Sequence, residues 1–156
     1  MPVQKLREFL DKNRVKYLTI GHSQSFSAQE IAASAHISGK NLAKVVMVKL
    51  DGKMAMAVLQ GHREVDLNLL KKVAGAKKTD LADEQEFKDS FPSCEVGSMP
   101  PFGNLYDMPV YVDKFLTADE EIAFNAGSHR ELVKMAYKDF ERLVKPKVGE
   151  FSKLGT

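Results

Sequence analysis

A single cysteine, Cys94, occurs in the 156 residues, so no intrachain disulfide can form and a small scaffold stapled by cystines is excluded. Nowhere does an apolar run approach the ~20 residues that span a bilayer. Charge of one sign is also lacking. Lysine and arginine number 23 against 21 acids, a net +2, so the molecule as a whole lacks the field of a strongly basic nucleic-acid binder. There is no repeat and no low-complexity stretch. The N-terminal Met1-Pro2-Val3-Gln4-Lys5 lacks the apolar segment of a secretion signal, which together with the lone thiol predicts a cytoplasmic protein.

Several common chemistries are missing as well. No G-x-S-x-G elbow, phosphate-binding G-x-x-x-x-G-K-[ST] loop or dinucleotide fingerprint is present. His22, His36 and His62 form no helical H-x-x-x-H pair or other metal spacing, so no metal and no cofactor is expected. Cys94 has no neighbouring base in the sequence that would make it a nucleophile.

What is there suits one globular domain over residues 1–156, with 44% hydrophobic residues, enough for a core without staples. Val3, Leu6, Phe9 and Leu10 share a helical face over residues 3–13, with Asn13 as the stop. Tyr17 to Ile20 reads as a strand, and Ser27-Ala28-Gln29-Glu30 as a capping box for a helix to about Ala35. Leu42 to Leu50 and Lys53 to Leu59 flank Asp51-Gly52, the signature of a tight hairpin. Asp66 can cap a helix that Gly75 ends, and Asp83-Glu84-Gln85-Glu86 opens another reaching about Phe91. Met108 to Phe115 and Glu121 to Ala126 read as strands. Ser128-His129-Arg130-Glu131 reads as a second capping box, predicting a helix through about Tyr137. Without a regular βαβ rhythm, these elements predict an α+β domain around a mixed or largely antiparallel sheet.

Three features could carry chemistry. Lys44 is a lone cation on a strand face shared with Val46, Val48 and Leu50: either its stem snorkels to water, or its amine is held beside an apolar pocket, suited to a phosphate or a polarised carbonyl. The segment Gly97-Ser98-Met99-Pro100-Pro101-Phe102-Gly103 must be a shaped loop, because proline removes donors and glycine admits close approach; it is a rigid connection or a cradle of N–H groups for an oxyanion. His129 follows the expected cap Ser128, as a surface imidazole or as the wall of a small pocket. Lysines also gather at Lys40, Lys44, Lys49 and Lys53, at Lys71, Lys72, Lys77 and Lys78, and along Arg130 to Lys147; a contact with nucleic-acid phosphates would need several of these to converge.

Taken in order, His22 before Ser27-Ala28-Gln29-Glu30, Leu42-Ala43-Lys44-Val45-Val46, Gly97-x-x-x-Pro101-Phe102-Gly103 and Asn125-Ala126-Gly127-Ser128-His129, the chain resembles the YbaK/prolyl-tRNA synthetase-associated editing family over nearly its whole length. The resemblance implies a mixed, mostly antiparallel sheet curled toward a barrel with surrounding helices. It implies hydrolysis, in trans, of the ester joining a mischarged alanyl, cysteinyl, seryl or threonyl group to tRNA, by the protein alone or with an aminoacyl-tRNA synthetase, with neither DNA nor a membrane as partner. Carried over by residue, Lys44 would hold the terminal adenosine or its phosphate. Gly97 and the loop with Ser98, Pro101, Phe102 and Gly103 would hold the aminoacyl carbonyl; His129, with Gly127, Ser128 and His22, would line the amino-acid site. Val45 departs from the polar residue expected beside the lysine in alanine-editing relatives. A non-catalytic tRNA- or synthetase-binding module and a hydrolase of simple acyl esters are the competing readings.

Overall fold

A computed structural model describes residues 4–21, 42–91, 94, 98–128 and 131–154. The capping box at Ser27 with its helix, and the residues His22, Gly97 and His129, lie outside these described residues. Helix α1 spans Gln4–Lys12 and buries Leu6 and Leu10 completely, as its periodicity dictates. Asn13 closes it, its side-chain amide donating to the Phe9 carbonyl at 2.8 Å, and Arg14 follows with a left-handed φ of 57°. Strand β1 is Tyr17–Gly21.

Strands β2 (Ala43–Leu50) and β3 (Lys53–Gln60) form the expected hairpin, with Lys44 opposite Leu59 and Leu50 opposite Lys53. Asp51 and Gly52 both take positive φ, 52° and 83°, the mirror-image turn that matches the twist of paired strands. The alternation of β2 divides two cores. Ala43 and Met47 face the main core with Phe102, Phe124 and Phe140. Val46, Val48 and Leu50 face a second cluster with Leu59, Leu70 and Phe151.

After β4 (Arg63–Val65) comes α2 (Leu67–Ala74), which lies over the second face through Leu70 and Val73. The Asp66 carboxylate accepts from the N–H groups of Asn68 and Leu69, and Gly75 ends the helix in the left-handed conformation. Strand β5 is Thr79–Leu81. The Asp83 box forms reciprocally, Asp83 N–H to Glu86 Oε1 at 3.0 Å and Glu86 N–H to Asp83 Oδ1 at 3.1 Å. The α-helix it opens, α3, runs only over Glu84–Phe87 and tightens into a 3₁₀ turn at Lys88–Ser90.

The remaining elements are β6 (Val110–Asp113), β7 (Glu121–Asn125), β8 (Glu131–Ala136), α4 (Tyr137–Val144), β9 (Lys147–Gly149) and β10 (Ser152–Leu154). The helix expected after Ser128 does not form. Glu131–Ala136 is instead the middle strand of a sheet ordered β1-β8-β7, and the helix begins where it was expected to end. Leu132, Val133 and Met135 are buried, and pairing on both edges outweighs a local capping signal. The second sheet is ordered β5-β2-β3-β6-β9, and β10 pairs β4. Five of the seven pairings are antiparallel; β3 with β6 and β6 with β9 are parallel. The barrel expectation is corrected: among the described residues β5 and β9 are open edges, and no strand pairing closes the curl.

The C-terminal segment is clipped on by a buried carboxylate. Asp113, fully buried, accepts from Phe151 N–H at 2.9 Å, Ser152 N–H at 3.1 Å and the Ser152 hydroxyl at 2.7 Å. Arg63 Nε in turn donates to Ser152 Oγ at 2.6 Å, and its guanidinium lies over the Phe115 ring.

Candidate functional site

The two large sheets meet at one seam, a parallel bridge between Leu42 and Ala123. Leu42, Ala123 and Leu132 are buried together there, with Ile20 packed against them. Because side chains alternate along a strand, moving two residues along each partner returns to the same face. That step puts Lys44 and Asn125 on the same face, each two residues beyond the bridge on its own strand. Among the described residues Asn125 Oδ1 is buried without a hydrogen-bond partner, an acceptor left open at this position.

Lys44 is half-buried. Burial pushes its amine below the ordinary lysine value, and the Glu64 carboxylate on β4 pulls the other way. The cation on an apolar face expected from the alternation is therefore present, and partial desolvation strengthens its interaction with any anion brought to it.

The proline-rich loop reaches the same place from another direction. Ser98 is fully buried, and its carbonyl accepts from the Gly127 N–H at 2.8 Å, which fastens the loop to the end of β7. Gly127 has φ 100°, a conformation that side chains rarely adopt, so the turn after Ala126 depends on glycine. Ser128, next in the chain, is half-buried. Thus Lys44, Ser98 and the Asn125–Ser128 segment, far apart in sequence, are assembled at one end of the seam.

Downstream, the loop is anchored by packing. The Phe102 ring is fully buried, with centroids 5.4 Å from Phe140, 5.6 Å from Phe124 and 6.1 Å from Phe9. A methyl group on Gly103 would stand 2.5 Å from the Met108 carbonyl oxygen and 2.6 Å from a Val110 methyl. The Gly103 carbonyl accepts from both Tyr106 N–H and Met108 N–H. Pro101, also buried, lies between these fixed points. Phe102 and Gly103 hold the loop in place, while Ser98 carries it to the site.

Cys94 is half-buried, its sulfur 3.6 Å from the Tyr106 hydroxyl, and burial pushes the thiol up, opposite to the change that activates a nucleophile. No cluster of three metal-ligating side chains occurs among the described residues, and none of their helices is long and apolar enough to cross a membrane. A cleft of about 610 Å³ opens at the far end of β7, where Asp119, Glu120, Glu121 and Glu141 make it acidic. Lys44 and the loop lie at the other end of the strand from it. Asn125 and Glu64 are the residues that sequence reasoning left unassigned. The first could have been found as the opening residue of Asn-Ala-Gly-Ser-His; the second, on a three-residue strand, had no signal.

Comparison with known proteins follows this geometry. A proline–tRNA ligase of Bacillus mycoides is 32% identical over 85 residues, 54% of this chain but 15% of the ligase. One of Bacillus cytotoxicus is 32% identical over 90 residues, 58% of this chain and 16% of the ligase. The chain thus spans about one sixth of the length of these curated relatives. A solved structure described as a candidate trans-editing enzyme for prolyl tRNA synthetase superposes with a TM-score of 0.81 at 18% identity, covering 96% of each chain. Another, of a hypothetical protein, gives 0.84 at 18% identity over 96% of this chain and all of that one. At such identities the structures establish the fold alone. Residues 22–143 match the aminoacyl-tRNA editing domain, and with more than half its length in that match, this chain belongs to the aminoacyl-tRNA editing domain family.

Proposed function

We propose that this chain is an aminoacyl-tRNA deacylase that acts in trans, hydrolysing the ester of a mischarged small amino acid of the alanyl, cysteinyl, seryl or threonyl class. The observation that supports it most is the meeting of Lys44, Asn125 and the Ser98 loop at the Leu42–Ala123 seam. In this reading Lys44 holds the terminal adenosine or its phosphate. Gly97 and its neighbours receive the ester carbonyl on backbone N–H groups, and His22, Ser128 and His129 wall a pocket that admits amino acids by size.

The chemistry asks little of the protein. Water adds to the ester carbon, the carbonyl oxygen takes up negative charge, and the bond to the tRNA ribose oxygen breaks as that oxygen gains a proton. An aminoacyl ester is activated enough that positioning water and stabilising the oxyanion suffice, with the neighbouring tRNA 2′-hydroxyl available to assist. Neither a protein nucleophile nor a metal is assigned a step.

The deciding experiment is a panel of mischarged tRNAs scored for release of the amino acid under single-turnover conditions. The relatives' names make proline tRNA the first body to load. Release of one small amino acid well above the uncatalysed rate supports the reading. Stoichiometric tRNA binding with no release would identify a recognition module instead, and equal cleavage of a simple aminoacyl ester would identify an unspecialised esterase.

A further inference from the structure

Of the three lysine clusters in the sequence, one is drawn together by the fold at a single surface. The Asp51 carboxylate in the β2–β3 turn accepts from the backbone N–H groups of Lys77 (3.0 Å) and Lys78 (2.9 Å), and Asp51 N–H donates to the Lys78 carbonyl at 2.9 Å. These bonds pin Lys77 and Lys78 to the turn. Lys53 lies beside them, because Leu50 pairs with Lys53 on one side and Thr79 on the other. Lys71 and Lys72 stand at the last turn of α2, just before the Gly75 cap leads back to the same turn. All five side chains are exposed. Of the nearby acids, Asp51 is occupied by the backbone, and Asp80 faces Lys78 at 3.7 Å.

A helix end favours lysine by itself, since the cation complements the dipole. That accounts for Lys71 and Lys72 and leaves Lys53, Lys77 and Lys78 unexplained. The patch lies on the same side of the sheet as Lys44, because α2 covers the face that carries Lys44, Val46, Val48 and Leu50. Asp51, in the turn just past β2, stands seven residues beyond Lys44, roughly 23 Å at ~3.3 Å per residue. The opposite direction, back along β7, leads instead to the acidic cleft of Asp119, Glu120, Glu121 and Glu141.

We propose that the tRNA body leaves the site toward the β2–β3 turn, with backbone phosphates of its duplex lying on Lys53, Lys71, Lys72, Lys77 and Lys78. This rests on the deacylase reading and adds to it a direction. A polyanion anchored at Lys44 has one course that gains counterion release and another that meets four carboxylates offset by Lys138 in the cleft and by Lys134, which pairs with Glu121 at 3.5 Å.

The test compares two variants of equal charge, K71Q/K72Q/K77Q/K78Q and K138Q/K145Q/K147Q/K153Q, each taking the net charge from +2 to −2. Binding of an uncharged proline tRNA transcript is measured between low and physiological salt, with thermal melting to show that each variant is folded. Each phosphate contact contributes ~0.9 to the slope of log K against log salt, so the first variant should lose up to about 3.6 of that slope and at least tenfold in affinity. The second should keep both. Equal losses in the two variants, or none in the first, would overturn the docking surface. Failure of the unmutated protein to release any amino acid would overturn the deacylase reading separately, since the binding comparison does not depend on turnover.

Discussion

Replacing Lys44 with methionine keeps the length and apolar stem of the side chain and removes its charge, so it separates the two readings of this residue. If the amine contacts a phosphate or the ester carbonyl, a charge-assisted hydrogen bond of about 1.5–3 kcal/mol is lost. At 1.36 kcal/mol per decade, deacylation under single-turnover conditions should fall roughly 10- to 150-fold. Stability should move the other way. Burial lowers the folded-state pKa of Lys44, so the unfolded chain holds more protons between that value and the ordinary one near 10.5, and the native state gains stability as pH rises through this window. The methionine variant should therefore be at least as stable at neutral pH, and its urea midpoint should rise less between pH 8 and 10.5. Unchanged deacylation with unchanged circular dichroism would refute the functional role. A variant that unfolds would show that the lysine serves the strand instead.

Three further outcomes test the loop and the clip. Gly103→Ala should destabilise by about 1–3 kcal/mol in urea titration, because its methyl meets the Met108 backbone carbonyl and not a side chain that can swing aside; an unchanged midpoint would show that the loop is looser than described. Asp113→Ala should cost roughly 2–4 kcal/mol by leaving Phe151 N–H and Ser152 N–H unpaired, seen as a lower melting temperature and early hydrogen exchange in residues 147–154. Gly97→Val should lower deacylation by ~10²–10³, the cost of one oxyanion donor, while Ser98→Ala keeps most activity; loss of hydrolysis in a folded Ser98→Ala would make the hydroxyl a participant and defeat the backbone cradle.

Elements whose signal is local were legible in the sequence. The hairpin announces itself through Asp51-Gly52, α2 through Asp66 and Gly75, and counting by twos along β2 singled out Lys44 as the one cation on a face with Val46, Val48 and Leu50. The C-terminal third was misread where two signals conflict. Ser128-x-x-Glu131 satisfies a capping pattern, yet Glu131–Ala136 is decided by strands β1 and β7, which end 110 residues and six residues before it. Strands of three residues, β4, β5, β9 and β10, carry no pattern of their own and exist because a partner is there. The site was legible as a set of pieces and not as a place. Nothing in the order of residues shows that Ser98 and Gly127 share a hydrogen bond, or that Leu42 and Ala123 touch.

That last contact has a bearing on how such a pocket acquires its selectivity. Lys44 belongs to one sheet and the Asn125–Ser128 segment to the other, and the strands carrying them adjoin at Leu42 and Ala123. In the proposed site the spacing of these two walls follows from the packing of Leu42, Ala123, Leu132 and Ile20 beside them. A methylene added to or taken from these side chains would shift one sheet against the other and so change the width the proposed site offers to an amino acid. On the proposed deacylase reading, discrimination between small amino acids would then drift through these seam residues as well as through the groups that touch the substrate, and a comparison confined to the latter would overlook the cause.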